Sequence, residues 1–282
     1  MTLHEALATG KAALVAAGLS PADAGVDVDL FARTILGWDG ARLLAGRREP
    51  APAGLEPRFS EWIARRARRE PAAYITGVRE FWGLDFQVTP AVLIPRPETE
   101  FILEETLDVL RAAAAPRVAD IGTGSGCLAV AIAVEHPHAR VTASELSDDA
   151  LAVARANAAR HRVADRMTFV HTSYLDGVEG PFEVIVANPP YVRELDRPAL
   201  SRDVRHEPEV ALFGGGDGLR NVAGVLDTAV PKLAPGGWLA MEFGYGQEDG
   251  VVQLVEARPQ LRLDRVRADL QQIPRTAIIQ RR

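Results

Sequence analysis

The 282-residue chain contains one cysteine, Cys127, so it can form no internal disulfide. This usage is typical of a reducing compartment, and no basic-then-apolar leader is present, so we expect a cytoplasmic protein. No apolar run approaches the roughly 18 residues that a membrane span needs, so no membrane association is expected. Cys127 lies between Gly126 and Leu128, which predicts a small buried helix residue and not a nucleophile.

The chain also lacks the patterns of a metal site and of a non-specific nucleic-acid binder. Its 6 histidines show no metal-ligand spacing. The 32 basic and 38 acidic residues give a net charge of -6, which argues against binding nucleic acid through charge alone. We therefore expect no metal, no direct nucleic-acid partner and a monomer. The length suffices for a large α/β domain and a smaller one.

Residues 1–72 carry the pattern of a small helical bundle. Thr2 and Glu5 form a capping-box start, and further helix caps and apolar repeats follow. One helix ends in a basic cluster of Arg65, Arg66, Arg68 and Arg69. A solvated helix end is favoured there over a surface for an acidic or RNA-bound partner, because cations suit a helix carboxyl terminus. We predict a helical substrate-recognition domain over 1–72 and a hairpin linker over 73–92.

From residue 93 to 282 strand and helix patterns alternate, which predicts a mostly parallel sheet covered by helices on both faces. The strand candidates are 118–121, 140–144, 167–171, 182–187, 238–243, 262–266 and 276–280. Little separates the last two, so that pair is predicted to be antiparallel. The fold class is α/β, a seven-stranded Rossmann-like sheet with a small helical amino-terminal domain joined by a β-hairpin.

The first predicted strand of this sheet runs into DIGTGSG at 120–126, which we call the cofactor turn. Its glycines would let the backbone approach a ligand at a helix amino end, and Glu145, closing the next strand, can accept ribose hydroxyls. The G-x-G-x-G spacing favours S-adenosylmethionine over a dinucleotide. Asp120 does too, because its carboxylate repels a pyrophosphate but tolerates an ammonium group. A tight turn without a ligand is the alternative interpretation.

A second motif, NPPY at 188–191, ends an uncharged β-branched run and is called the acceptor corner. Pro189 and Pro190 take the chain stiffly out of the sheet at its carboxyl edge, where ligands bind in open α/β sheets. The side-chain carbonyl of Asn188 and the backbone carbonyl of Pro189 can accept both hydrogens of a planar NH2 group, with Tyr191 as a flat wall. The alternative is a Pro-Pro loop with a packing tyrosine.

A conjugated NH2 nitrogen is a poor nucleophile because its lone pair is delocalised, and it becomes positive as it attacks a carbon. Two fixed acceptors would aim the lone pair and stabilise the developing charge, so no general base is obligatory. The proline-stiffened loop at 93–100 adds Arg96 and Glu98 as a candidate wall of the site, or alternatively a strap between domains.

Together the two motifs resemble S-adenosylmethionine-dependent methyltransferases that act on conjugated amino groups, a class that includes DNA adenine and cytosine methyltransferases. Four further segments narrow the resemblance to the peptide chain release factor glutamine methyltransferase family: REFWG at 79–83, IPRPETE at 94–100, DVRHEP at 203–208 and GGGDGL at 214–219. The resemblance covers nearly the whole chain. It implies methylation of the glutamine in the Gly-Gly-Gln loop of release factors.

The resemblance also implies roles for named residues. The catalytic set is Asn188, Pro189 and Tyr191, and the substrate set is Asn188, Pro189, Pro190, Tyr191, Arg96 and Glu98. The cofactor set is Asp120, Gly122, Thr123, Gly124, Ser125, Gly126, Glu145, Ser173, Tyr174 and Asn188.

Two positions depart from the family pattern: Glu145 stands where Asp is more frequent, and Ser173 stands where an Asp commonly contacts adenine. Ser173 or the Tyr174 ring would then replace that contact. A nucleic-acid amino methyltransferase and a non-catalytic binding module stay open as alternative functions.

Overall fold

The computed structural model describes residues 1–282 and divides them into two compact units. The helical unit comprises Met1–Gly77 and Ser201–His206, and the sheet unit comprises Val78–Leu200 and Glu207–Arg282. The sequence prediction ended the helical part at residue 72. It did not anticipate that a short segment from the second half of the chain would belong with the helices. No helix of either unit is both long enough and apolar enough to cross a bilayer.

The helical unit is built on locally encoded caps. Thr2 and Glu5 form the predicted capping box: each side chain accepts a hydrogen bond from the other residue's backbone N–H. Buried apolar side chains then join the helices, and Phe31 meets Trp62 edge-to-face with ring centroids 5.5 Å apart. The helices are α1 (Leu3–Ala16), α2 (Pro21–Leu36), α3 (Gly40–Ala45), α4 (Arg58–Ala67) and α5 (Ala72–Thr76).

The basic cluster at the end of α4 is not a solvated helix end throughout, and that prediction is wrong for Arg66. Its guanidinium is buried between two carboxylates, Asp27 at 2.6 Å and Asp203 at 2.7 Å. Arg69 also pairs with Asp203, at 3.7 Å. A buried cation requires such partners because it has lost its hydration. Asp203 lies in the Ser201–His206 segment, so these ion pairs help to attach that segment to the helical unit.

The sheet unit begins with the predicted hairpin, β1 (Val78–Phe81) paired antiparallel with β2 (Leu84–Gln87). Its main sheet has seven strands in the order β5-β4-β3-β6-β7-β9-β8. The strands are β3 (Arg117–Ile121), β4 (Arg140–Glu145), β5 (Met167–His171), β6 (Phe182–Ala187), β7 (Leu233–Glu242), β8 (Leu261–Ala268) and β9 (Pro274–Arg281).

Strands β3 to β7 pair in parallel, and β9 is antiparallel to both of its neighbours, which confirms the predicted fold class. Helices cover the sheet: α6 (Glu100–Leu110), α7 (Cys127–Glu135), α8 (Asp148–Arg160), α9 (Arg220–Lys232) and α10 (Glu248–Glu256).

The core of the sheet unit has two apolar layers, one on each face. Strand β6 shows the division, because Val184 and Val186 pack into one layer while Ile185 and Ala187 pack into the other. Strands β3 and β6 are neighbours where the strand order reverses, the position at which open α/β sheets bind ligands. Their last residues, Ile121 and Ala187, are paired in register. The cofactor turn and the acceptor corner therefore leave the sheet side by side.

Candidate active site

A cavity of about 510 Å³ lies at the carboxyl ends of the central strands. From the predicted cofactor set its walls contain Asp120, Gly122, Thr123, Gly124, Ser125, Glu145, Ser173, Tyr174 and Asn188, and from the substrate set also Pro189, Pro190 and Arg96. Gly126, Tyr191 and Glu98 do not line it. The fold thus brings both motifs to one cavity.

The cofactor turn takes a backbone path that glycine permits. Gly122, Gly124 and Gly126 have φ of 69°, 54° and 82°, in the left-handed region that other residues rarely adopt. The N–H groups of Gly122 and Thr123 both donate to the Ser144 carbonyl at the end of β4, at 2.9 and 3.0 Å. Helix α7 starts directly after the turn, so its amino end faces the cavity.

Asp120 is a buried carboxyl at the floor of this turn. Thr123 Oγ1 donates to Asp120 Oδ2 at 2.6 Å, and burial raises the pKa of Asp120 to about 7. A cationic ligand group beside it would offset the desolvation of the charged form. Burial likewise raises the pKa of the Cys127 thiol to about 12. Cys127 therefore stays a thiol at neutral pH, but the residue is only partly buried and lines the cavity, so the prediction of a buried residue is wrong.

Glu145 is held by the backbone as well as being available to a ligand. Its Oε2 accepts from Gly124 N–H at 3.0 Å, and its Oε1 accepts from the N–H groups of Leu146 at 2.7 Å and Ser147 at 3.1 Å. A carboxylate has about four acceptor positions. Three are occupied, so accepting both hydroxyls of a ribose requires the release of a backbone partner, and that role stays a prediction.

Tyr174, predicted near the adenine, has a left-handed backbone with φ of 49°. Its hydroxyl donates to Asn221 Oδ1 at 3.3 Å, and its ring packs so closely on Gly224 that a Cβ there would fall 2.4 Å from the ring. These contacts fix the ring as part of the cavity wall. Ser173 lines the same wall. The adenine contact of either residue stays a prediction.

The side chain of Asn188 is oriented by a chain of hydrogen bonds. Asn188 Nδ2 donates to Thr99 Oγ1 at 2.9 Å, and Thr99 Oγ1 donates to Glu242 Oε2 at 2.9 Å. Tyr191 donates its hydroxyl to the other oxygen of Glu242, at 2.8 Å. Burial raises the pKa of Tyr191 well above its ordinary value, so the hydroxyl keeps its proton.

The backbone after Pro189 is fully engaged with neighbouring segments. The carbonyl of Pro190 accepts from Asn221 Nδ2 at 3.1 Å, that of Tyr191 from Gln247 Nε2 at 2.9 Å, and that of Val192 from Gly214 N–H at 2.9 Å. The carbonyl of Pro189 and the Oδ1 atom of Asn188 receive no such donor. These are the two acceptors assigned to a substrate NH2 group from the sequence.

Comparison with known proteins identifies the family of this chain. A family model described as "Methyltransferase small domain" matches residues 99–223, and one described as "PrmC N-terminal domain" matches residues 5–77. A release factor glutamine methyltransferase from Bradyrhizobium diazoefficiens is 40% identical over 97% of this chain and 93% of its own. One from Burkholderia pseudomallei is 41% identical over 92% of each chain. The chain belongs to the release factor glutamine methyltransferase family.

Among solved structures, a methyltransferase from Pyrococcus furiosus matches 79% of this chain and 98% of its own with a TM-score of 0.54. At 22% identity that likeness supports the fold alone. Methyltransferases of this family use S-adenosyl-L-methionine, and the cavity of this chain fits it. A buried carboxyl suits the ammonium, a glycine-rich helix start suits the carboxylate, and Glu145 lies at the end of the next strand.

Of the two residues predicted at the substrate wall, Arg96 has another partner in the structure and Glu98 does not line the cavity. Arg96 lines the cavity, but its guanidinium donates to the buried Glu207, which also accepts from Ile94 N–H at 3.0 Å. The pair joins the 93–96 loop to the segment after the acceptor corner. Glu98 lies outside the cavity wall. Substrate contact by either residue stays a prediction.

Sequence reasoning missed Thr99, Glu242 and Asn221 as site residues. Glu242 left a usable signal: it is the one acid at the end of the apolar strand β7, at the same sheet edge as both motifs. Thr99 falls in the IPRPETE segment that carries the resemblance to the family, but a threonine before a helix is an ordinary capping residue and gives no separate signal. Asn221 lies early in α9 with no pattern that marks it.

Proposed function

We propose that this protein transfers a methyl group from S-adenosylmethionine to the side-chain amide nitrogen of the glutamine in the Gly-Gly-Gln loop of peptide chain release factors. One observation carries the proposal. At the acceptor corner every backbone carbonyl from Pro190 to Val192 has a protein donor, whereas Asn188 Oδ1 and the Pro189 carbonyl have none. A primary carboxamide has two N–H groups to satisfy such a pair.

The chain's own residues would act by alignment. S-adenosylmethionine supplies a methyl group on a positively charged sulfur. Asn188 and Pro189 would hold the amide nitrogen with its lone pair toward that methyl group, and the proton the nitrogen loses goes to water. Alignment of two reactants can supply ~7–11 kcal/mol of a barrier. Each hydrogen bond to a nitrogen gaining positive charge adds about 1.5–3 kcal/mol, so proximity is the larger contribution.

The other residue roles are proposed from the resemblance to the family, also for Gly126, Tyr191 and Glu98, which lie outside the cavity wall. Asp120 and the turn Gly122, Thr123, Gly124, Ser125 and Gly126 would hold the methionine part of the cofactor. Glu145 would hold the ribose, and Ser173 with Tyr174 would contact the adenine. Tyr191, Pro190, Arg96 and Glu98 would shape the approach of the substrate.

The partner is proposed to be protein and not nucleic acid, because the net charge is -6 and the relatives at about 40% identity are release factor glutamine methyltransferases. We propose that the helical unit, Met1–Gly77, recognises the release factor. We also propose that the protein acts as a monomer in the cytoplasm, where release factors work.

The test offers isotope-labelled S-adenosylmethionine with three acceptors: a release factor, the same factor with its Gly-Gly-Gln glutamine replaced by alanine, and duplex DNA. We expect label in the unaltered factor only, on the glutamine amide by mass spectrometry. Label in DNA would favour the adenine or cytosine amino methyltransferase instead. Cofactor binding without transfer to any acceptor would favour a non-catalytic module.

A further inference from the structure

The hydrogen-bond chain that starts at Asn188 contains two residues without an assigned role: Thr99, which lines the cavity, and Glu242, which lies behind it. We propose that Thr99 and Glu242 are positioning residues, which fix the Asn188 amide with its oxygen toward the cavity. This deepens the proposed function and rests on it. It uses the contacts Asn188 Nδ2 to Thr99 Oγ1 and Thr99 Oγ1 to Glu242 Oε2, each 2.9 Å long.

The direction of the chain follows from the chemistry of its members. Each oxygen of Glu242 accepts from one hydroxyl, Oε2 from Thr99 and Oε1 from Tyr191. The single hydroxyl proton of Thr99 is thereby used. Thr99 Oγ1 can then only accept from Asn188, which must present its NH2 group to Thr99. The carbonyl oxygen of Asn188 is left facing the other way, on the cavity side.

This direction matters because an amide is nearly symmetric in shape. Rotation by half a turn exchanges Oδ1 and Nδ2 with little steric penalty, so hydrogen bonds decide which atom faces a ligand. With the oxygen toward the cavity, Asn188 accepts from a substrate NH2 group. With the nitrogen there, two donors would oppose each other, and the acceptor pair with Pro189 would be lost.

Burying the carboxyl group of Glu242 costs free energy that a neutral side chain holding Thr99 would not cost, so we infer that its two acceptor oxygens have a specific use. The side chain is 1% exposed, and burial raises its pKa above the ordinary value. Its oxygens are satisfied by two hydroxyls from distant segments, Thr99 at the start of α6 and Tyr191 in the acceptor corner. A buried carboxyl group between two segments of one site contributes little to the stability of the fold. We therefore infer that its role is to orient the hydrogen-bond donors of the site.

The test uses two variants of one position. Thr99→Val keeps the shape and removes the hydroxyl, whereas Thr99→Ser keeps the hydroxyl. With a Gly-Gly-Gln peptide we expect Thr99→Val to lower kcat ~10- to 100-fold, less than the ~10²- to 10³-fold that follows loss of a preorganised hydrogen-bonding group itself, because Asn188 is still present. We expect the kcat of Thr99→Ser to stay within about threefold of that of the unaltered protein. Cofactor Kd should stay within about twofold in both Thr99 variants. Unchanged kcat in Thr99→Val, or an equal loss in Thr99→Ser, would overturn the proposal.

A second readout needs no substrate and separates this inference from the proposed function. The chain has three asparagines, Asn157, Asn188 and Asn221, so selective 15N labelling gives three side-chain NH2 signals. The Asn188 signal is identified by its loss in Asn188→Asp. We expect its hydrogens to exchange slowly with water in the unaltered protein and in Thr99→Ser, and fast in Thr99→Val. Equal exchange in all three would reject the orientation by Thr99 even if glutamine methylation is confirmed. Slow exchange of the Asn188 NH2 group in the unaltered protein and in Thr99→Ser, together with a lack of glutamine methylation, would reject the proposed substrate but not the orientation by Thr99.

Glu242→Gln provides the matched test of the charge. A glutamine has the same shape, but one of its terminal atoms donates, so it cannot accept from both Thr99 and Tyr191. We expect kcat to fall to about the level of Thr99→Val, with cofactor Kd retained. A Glu242→Gln variant with normal kcat and a slowly exchanging Asn188 NH2 would show that the carboxylate does not set the direction.

Discussion

The cofactor turn and the acceptor corner lie side by side at one sheet edge, but they are built differently. The turn is built mainly from its own glycines, which adopt positive φ, and from neighbouring segments: Glu145 on the adjacent strand β4 accepts from Gly124 N–H, and Asn157 on α8 donates to the Ser125 carbonyl at 2.8 Å. The corner depends on residues far away in sequence, with Thr99, Asn221 and Gln247 holding its side chains and carbonyls. A binding turn can therefore be encoded in a short motif, whereas a pair of free acceptors requires the surrounding fold to satisfy every other polar group.

The largest expected effect separates the two regions by function. Asn188→Ala removes one of the two free acceptors, so we expect kcat to fall ~10²- to 10³-fold, the range seen when one preorganised hydrogen-bonding group is lost. Cofactor Kd should change little. Steady-state kinetics with a release factor and calorimetric titration with the cofactor measure both quantities. Normal turnover in this variant would remove the proposed role of the corner.

The long-range construction of the corner is tested by two glycines of the GGGDGL segment. Gly218 has φ of 79°, and a Cβ there would lie 2.2 Å from the Tyr191 carbonyl oxygen. We expect Gly218→Ala to lower the free energy of unfolding by about 1–3 kcal/mol, and activity with it. Gly216→Ala is the control, since no atom lies within 4 Å of its Cβ position, and should stay within about 0.5 kcal/mol. Equal denaturant midpoints for the two variants would contradict the packing.

This contrast also explains what could be predicted from the sequence. The strands, the antiparallel last pair and both motifs follow from apolar runs, prolines and glycines that act within a few residues. The register of Ile121 with Ala187 and the contacts of Glu242 depend on how distant strands align, which no local pattern contains. Arg66 shows the same limit: its charge predicts a solvated position, and only the folded chain supplies Asp27 and Asp203.

A change beside the cofactor turn should affect cofactor Kd and not kcat, the reverse of what we expect for Asn188→Ala. Glu145→Ala removes the acceptor of the Gly124 N–H group in the turn and of the Leu146 and Ser147 N–H groups after β4. It also removes the proposed ribose contact. We expect cofactor Kd to rise ~10-fold or more, while kcat at saturating cofactor stays near normal, since each lost hydrogen bond to a charged group is worth about 1.5–3 kcal/mol. A Glu145→Gln variant keeps one acceptor atom, so its cofactor Kd should lie between those of the unaltered protein and of Glu145→Ala. A loss confined to kcat would place Glu145 in the reaction and not in binding.

At pH 7, where its effect on cofactor Kd is smallest, the cofactor turn also carries a pH dependence. Burial raises the pKa of Asp120 to about 7, so in the free protein the carboxyl holds a proton below that pH and releases it above. Only the ionised form attracts the ammonium of the cofactor. Kd should therefore rise about tenfold for each pH unit below 7, a range in which an α-amino group stays protonated.

Ionisation of a buried carboxyl also opposes folding, so the same group makes the free protein less stable as pH rises from about 4 through 7. Asp120→Asn should flatten both profiles in calorimetric titrations and thermal unfolding, whereas Asn188→Ala should leave them unchanged. A pH dependence that persists in Asp120→Asn would assign it to another group.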